Sequence, residues 1–239
     1  MNKYFTFSVS SVATFFLLLS TLTVSCSKKS AEPRNPLAST APDNGFSTQV
    51  QQIISVPILD SLKKKGMTIN EGVVPPKINN MYYLDPNIMV SSYGPEDTYK
   101  TGDKFVSYYY KFYDQDDAGN IKYDEASVNL VARANAKGSV ISGYGNKFTI
   151  FSQTIGTTYN IPNKTLAVIS GELTANGDIK NWQNALIMVE KTNDVDKKLI
   201  EVGKNRIFKD GDGTTYKTNY FPARLGAMSD DLPAMGSSN

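Results

Sequence analysis

Across residues 105–113 the apolar side chains fall at every second position, with Val106, Tyr108, Tyr110 and Phe112 on one side. A period of two marks a half-buried β-strand, because successive side chains of an extended chain leave on opposite faces. A second run, residues 121–134, sets Ala126, Val128, Leu130, Ala132 and Ala134 against Ser127, Asn129 and Arg133. Between the two lie Asp114, Gln115, Asp116, Asp117, Ala118, Gly119 and Asn120, a turn-forming stretch that makes the pair a hairpin. Shorter β-like runs occupy residues 81–84, 88–92, 147–155, 165–173, 185–191 and 199–202, with Asn176-Gly177 as a tight turn.

Helical spacing occurs once. Ser47 is placed to cap a helix carrying Val50, Ile53, Ile54, Ile58, Leu59 and Leu62 on one face, and Gly66 ends it. Pro57 must kink that helix or restart it. Lys63, Lys64 and Lys65 complement its carboxyl end. One amphipathic helix followed by roughly eight strands implies a single all-β domain over residues 47–225. An antiparallel β-barrel with the helix covering one end is expected, with a β-sandwich as the other arrangement the pattern allows. Residues 226–239 thin out in apolar content and read as a flexible tail.

The chain has no histidine and one cysteine among 239 residues. That removes histidine-based nucleophile activation, most catalytic zinc sites and any internal disulfide. Its 25 Lys and Arg against 23 Asp and Glu leave no electrostatic footprint for nucleic acid. At the amino end, Lys3 precedes an apolar run from Val12 to Val24, too short to span a bilayer as a helix of ~20 residues. Residues 1–25 therefore read as a signal peptide.

Leu22-Thr23-Val24-Ser25-Cys26, followed by Ser27-Lys28-Lys29-Ser30, resembles the lipobox of bacterial lipoproteins, in the looser form common in Bacteroidota. Thr23 stands where the usual leucine would be. The resemblance implies cleavage before Cys26, acylation of that cysteine and attachment to the outer membrane. Two or more acyl chains would hold it durably, since each buried methylene contributes ~0.8 kcal/mol. Residues 26–46, rich in Pro, Ser and Ala, then form a tether. Surface-exported lipoproteins of that group carry acidic residues after the cysteine. Lys28 and Lys29 are basic, which implies a periplasm-facing protein.

Three stretches of the body also resemble uncharacterised envelope lipoproteins of Bacteroidota. They are residues 72–78 (Gly-Val-Val-Pro-Pro-Lys-Ile), Ile141-Ser142-Gly143 with Phe148-Thr149, and residues 202–213. That resemblance carries no activity with it. The barrel itself resembles the lipocalin-like (calycin-like) group, without the Gly-x-Trp signature; the single tryptophan is Trp182.

Two acidic clusters are the metal candidates. Asp114, Asp116, Gly119, Ile121 and Glu125 match positions one, three, six, eight and twelve of an EF-hand loop, the spacing that suits calcium. Ala118 removes the oxygen ligand at position five, and strands rather than helices flank the loop. Asp210 and Asp212 form a second acidic turn, short of the six to eight oxygens calcium takes. Solvated turns without a cofactor are the expectation for both.

The aromatic residues give the remaining candidates. Tyr108, Tyr110, Phe112 and Trp182 are placed to line a pocket for a small amphipathic or glycan ligand. The expectation is a non-enzymatic envelope lipoprotein whose barrel binds such a ligand. An accessory interaction subunit of an outer-membrane assembly and a carbohydrate hydrolase using two carboxylates stand behind it.

Overall fold

In the computed structural model, which describes residues 46–222, the Ser47 hydroxyl accepts from the Val50 amide at 3.3 Å and caps the first helix. The expected single helix is two, α1 (Thr48–Ile53) and α2 (Val56–Lys64). Pro57 has no amide hydrogen to give to a preceding turn, so the chain restarts with the proline in the first turn of α2. Lys63 and Lys64 occupy the last turn, before Gly66 at φ 95°.

Twelve strands follow: β1 (Val73–Val74), β2 (Met81–Leu84), β3 (Asn87–Ser91), β4 (Lys104–Phe105), β5 (Tyr108–Tyr113), β6 (Asn120–Ser127), β7 (Ala132–Tyr144), β8 (Lys147–Thr158), β9 (Ile161–Leu173), β10 (Ile179–Lys191), β11 (Asn205–Asp210) and β12 (Thr214–Thr218). Apart from β1, which lies parallel beside β7, they make eight antiparallel staves, because three staves are broken in two. Leu84 faces Tyr108 and Asn87 faces Phe105 in one continuous register, so β2 runs on into β3 and β4 into β5. In the same way β11 and β12 share one edge of β10, through Gln183–Ile187 pairs and through Ile179↔Thr215.

Each stave pairs with the next in chain order, and the last returns to the first through Tyr216↔Tyr83 and Phe208↔Met89. The result is an all-β fold closed as an up-and-down barrel. Closure leaves few backbone groups unpaired at a sheet edge.

Two bulges decide which residues face inward. In β7 the register shifts between Lys137 and Val140, so Ala136 and Ile141 both enter the interior cluster. In β10 it shifts between Lys180 and Gln183, where Asn181 adopts φ 54°, and Ile179 and Trp182 both turn inward.

The helices do not cover an end of the barrel. They lie against its outer wall, where Phe46, Val50, Leu59 and Leu62 pack on the cross-strand row Val140, Phe151, Val168, Ala185 and Ile207. An outward row that apolar needs a cover, and an amphipathic helix pair supplies one.

The run over residues 121–134 is also corrected. It is not one strand but all of β6 after Asn120, a turn and the start of β7. The Ser127 hydroxyl accepts from the Ala132 amide at 2.9 Å, Leu130 sits at φ 60°, and Val128 and Leu130 are 42% and 38% exposed. The inward face of β6 is therefore Ile121, Tyr123, Glu125 and Ser127, opposite to the side expected. Residues 199–202 are loop rather than strand, and β1, β11 and β12 have no counterpart among the expected runs.

A candidate ligand cavity inside the barrel

One half of the barrel is packed and the other half is hollow. In the packed half, Trp182, Phe112, Tyr123 and Phe148 interlock with Ile121, Ile141, Ile150, Ile169 and Ile179. Burying large rings and branched aliphatics at this density is the main favourable contribution to the fold. Tyr123 shares a hydrogen bond of 2.8 Å with Ser152 across this core.

The hollow half encloses about 350 Å³. Val106, Tyr108 and Tyr110 line it from the β4–β5 stave, Glu125 and Ser127 from β6, Ala132 and Ala134 from β7. Thr154, Thr165, Leu186, Met188 and Phe208 complete the wall. Its mouth lies among the connections at one end: Tyr99 of the β3–β4 loop, Asn129, Tyr159 of the β8–β9 turn and Lys198 of the β10–β11 loop. Small residues on β7 and hydroxyls on β8 and β9 leave space where the other half carries rings. The wall can close tightly there because Gly156 has no side chain; a Cβ on it would collide with the Arg133 carbonyl oxygen and with Ala134.

Tyr108, Tyr110 and Phe112 stack along β5 with ring centroids 6.2 Å apart at each step. The period-two reading of this strand is borne out in its facing. The four aromatic candidates nonetheless divide between two environments. Tyr108 and Tyr110 line the cavity, whereas Phe112 and Trp182 lie in the core beneath it, Trp182 4.8 Å from Tyr110. Burial, and then the charge of Glu125, pushes the hydroxyls of Tyr108 and Tyr110 above the ordinary tyrosine range.

Glu125 is the residue whose role sequence reasoning misplaced. Its register opposite Tyr110 and Ala134 sends it into the barrel, and burial raises its carboxyl to about 7. The signal was present in the alternation of Ile121, Tyr123 and Glu125, but the alanines of the following run suggested the other face.

Three of the cations around the mouth are paired with acids. Arg206 forms a two-bond contact with Asp97 and lies over the rings of Tyr93 and Tyr99, 5.4 and 4.9 Å from their centroids. Burial opposes the charge on Asp97, but the guanidinium and the Tyr99 and Tyr93 amides hold its carboxyl below the usual range. Lys104 lies 3.6 Å from Asp85, and Lys198 lies 3.1 Å from Asp196.

The acidic loop sits at the packed end, away from the mouth. Asp116 accepts from the Asn120 amide at 2.8 Å and from its side chain at 2.7 Å, and Asp114 pairs with Lys122 at 3.1 Å. Glu125, the twelfth position of the calcium pattern, faces the cavity instead of this loop. Asp210 accepts from the Asp212 and Gly213 amides and from Thr215, shaping the turn between β11 and β12. Burial, and then neighbouring Asp212, raises its carboxyl to about 6. Among the described residues no group of three or more acidic, histidine or cysteine side chains is placed to hold a metal. Asp210 and Asp212 also border a second cleft, of about 410 Å³, beside Asn70, Glu172 and Gln183. Its amides are engaged: Asn70 donates to the Phe148 carbonyl, Gln183 to that of Gly66 and Asn181 to the Glu172 carboxylate.

Cys26, the signal peptide and residues 27–45 of the tether lie outside the described residues, as does the tail. Phe46, read as the last tether residue, is instead buried against the barrel wall beside Val50 and Phe151, because its ring completes the apolar cover of that face. Among the described residues no helix is long and apolar enough to cross a membrane. Compared with known proteins, the chain matches no family model, no curated protein and no solved structure.

Proposed function

We propose that this chain is a non-enzymatic lipoprotein of the bacterial cell envelope, held at the outer membrane by acylated Cys26 and facing the periplasm. Its barrel binds a small, partly apolar ligand. The observation that carries the binding reading is the 350 Å³ cavity between Tyr108, Tyr110 and the far wall, reached through one end of the barrel. That volume lies at the lower end of the ~300–1,000 Å³ common for small-molecule sites. Polar groups at a few points on an otherwise apolar wall are what orients such a ligand.

Trp182 offers a direct test. It is the only tryptophan in the chain and touches Tyr110, so a ligand against that ring will change its emission. Titration with the neutral dye N-phenyl-1-naphthylamine should give saturable binding with a Trp182 response. Ala132→Phe, which fills the cavity from β7, should abolish the binding without unfolding the protein. Dye binding unchanged in that variant would refute the reading.

A second reading, an accessory subunit, draws on the outer wall. Tyr83, Tyr109 and Tyr220 form a contiguous group there, with centroids 4.8 and 5.2 Å apart and Tyr220 58% exposed. Exposed aromatic groups of this kind mark interaction surfaces. The hydrolase reading finds no carboxylate pair in the cavity, where Glu125 is the one acidic lining residue among those described.

A further inference from the structure

We infer that the cavity selects organic cations: its ligand carries an ammonium group that meets Glu125 beside the rings of Tyr108 and Tyr110, with its apolar body along Leu186 and Met188. This rests on the reading of the cavity as a ligand site and adds the chemical class.

The argument is one of charge balance. Four cationic residues border the cavity. Three already face an acid: Arg206 with Asp97, Lys104 with Asp85 and Lys198 with Asp196. The fourth, Arg133, stands between the inward Ala132 and Ala134 on β7 and pairs with the outward Ala126, so its side chain leaves the strand on the opposite face. Glu125 is the one charged lining group on the inward face that has neither an ion pair nor a hydrogen bond among the described residues. An anionic ligand entering this space would meet an unmatched carboxylate and no unpaired cation on the inward face. A cationic ligand would cancel that charge where solvent screening is weak, and the match would be worth more than at the surface.

Ring geometry points the same way. Tyr108 and Tyr110 present stacked aromatic faces next to Glu125 on the neighbouring strand, Tyr110 directly opposite it. A cation close to aromatic faces is stabilised by the ring quadrupole, most strongly when desolvated. A carboxylate flanked by tyrosines is therefore a cage for ammonium rather than for carboxylate or phosphate.

Protonation supports selectivity and supplies a signature. The groups facing Glu125 are the hydroxyls of Tyr108 and Tyr110 on β5 and of Tyr123 on its own strand, with Tyr159 beside Tyr108. From β7 the facing residues are Ala132 and Ala134, which do not titrate. The paired Arg206, Lys104 and Lys198, and Arg133 on the outward face of β7, complete the charged lining. Burial moves the hydroxyls of Tyr108, Tyr110 and Tyr123 upward, further from the range in which Glu125 changes charge. Free Glu125 is half-protonated near pH 7, and an ammonium ligand must displace that proton.

The test compares octylamine, octanol and octanoate, three probes of equal chain length, by displacement of N-phenyl-1-naphthylamine from the purified protein. At pH 8 octylamine should bind at least ~10-fold tighter than octanol, with octanoate weakest. Below pH 7 the octylamine affinity should fall, approaching ~10-fold per pH unit, while octanol is unaffected. Glu125→Gln should remove both the preference and the pH dependence, and an unchanged far-ultraviolet circular dichroism spectrum with a cooperative urea transition shows that the variant is folded. Octanoate binding as tightly as octylamine, or a preference that survives Glu125→Gln, would overturn the cation assignment while leaving the cavity a ligand site. If all three probes fail to enter, the cavity reading falls, and this inference with it.

Discussion

Arg206 and Asp97 meet through two parallel hydrogen bonds, Nε to Oδ2 at 2.9 Å and Nη2 to Oδ1 at 2.7 Å, with the carboxylate fully buried. Asp97 also accepts from the Tyr93 and Tyr99 amides, so one side chain fixes the β3–β4 loop to β11 at the cavity mouth. Breaking such a pair leaves a buried charge without its partner, at a cost of about 3–5 kcal/mol. Asp97→Ala and Arg206→Met should each destabilise the fold in urea on that scale, and the double variant should cost less than their sum. The folded carboxyl of Asp97 lies below its unfolded value. Its contribution is present above the unfolded pKa of ~3.9 and is lost as pH falls through the folded value, so the variants should converge with the parent in acid.

Glu125 acts in the opposite sense. Its folded carboxyl, at about 7, lies above the unfolded value, so the folded state holds the proton more tightly. Stability is unaffected by this residue below the unfolded pKa of ~4.3 and declines as pH rises toward 7. Glu125→Gln should leave stability nearly unchanged at pH 4 and raise it by about 1–3 kcal/mol at pH 8, allowing for solvent in the cavity. Urea unfolding at the two pH values measures the difference, and equal effects at both would contradict the placement of Glu125.

The core beneath the cavity should respond differently from its lining. Trp182 is 1% exposed among Tyr110, Phe112 and the isoleucines. Trp182→Ala should cost about 3–5 kcal/mol through the space it opens. Tyr108→Phe removes a hydroxyl that borders the cavity and should change stability by less than about 1 kcal/mol. Thermal or chemical denaturation of both variants separates the two environments.

Asp116 is engaged with Asn120 and Asp114 with Lys122, at the packed end of the barrel. Calcium at millimolar concentration should therefore leave the melting temperature of the parent unchanged. A calcium-dependent rise abolished by Asp116→Asn would restore the cation reading of the loop.

Anchoring is tested at Cys26. Cys26→Ala should abolish palmitate incorporation and release the protein from membranes or stall its processing. Protease added to intact cells should leave the parent protein uncleaved if the barrel faces the periplasm. Processing and membrane fractionation unchanged in the variant would refute acylation at this cysteine.

The amino-acid sequence by itself determined the local features. The alternation that ends in Tyr108, Tyr110 and Phe112, the cap at Ser47, the restart at Pro57 and the turns at Gly119 and Gly177 all depend on neighbours within a few residues. Period, proline and glycine act at that range, so they could be read directly. The split of residues 121–134 into two strands was harder, because Val128 and Leu130 continue the apolar alternation through what is a turn held by Ser127.

Tertiary structure decided the rest. The bulges at Lys137/Val140 and Lys180/Gln183 break the two-residue period, and only closure of the ring requires those bends. That closure brought Trp182 into the core and placed Glu125 among tyrosines from another strand, inside a cavity. The outer row from Val140 to Ile207 reads as a second inward face until α1 and α2 are seen lying on it. A strand sequence records which residues share a side; which of its two sides is the inside depends on partners distant in the chain.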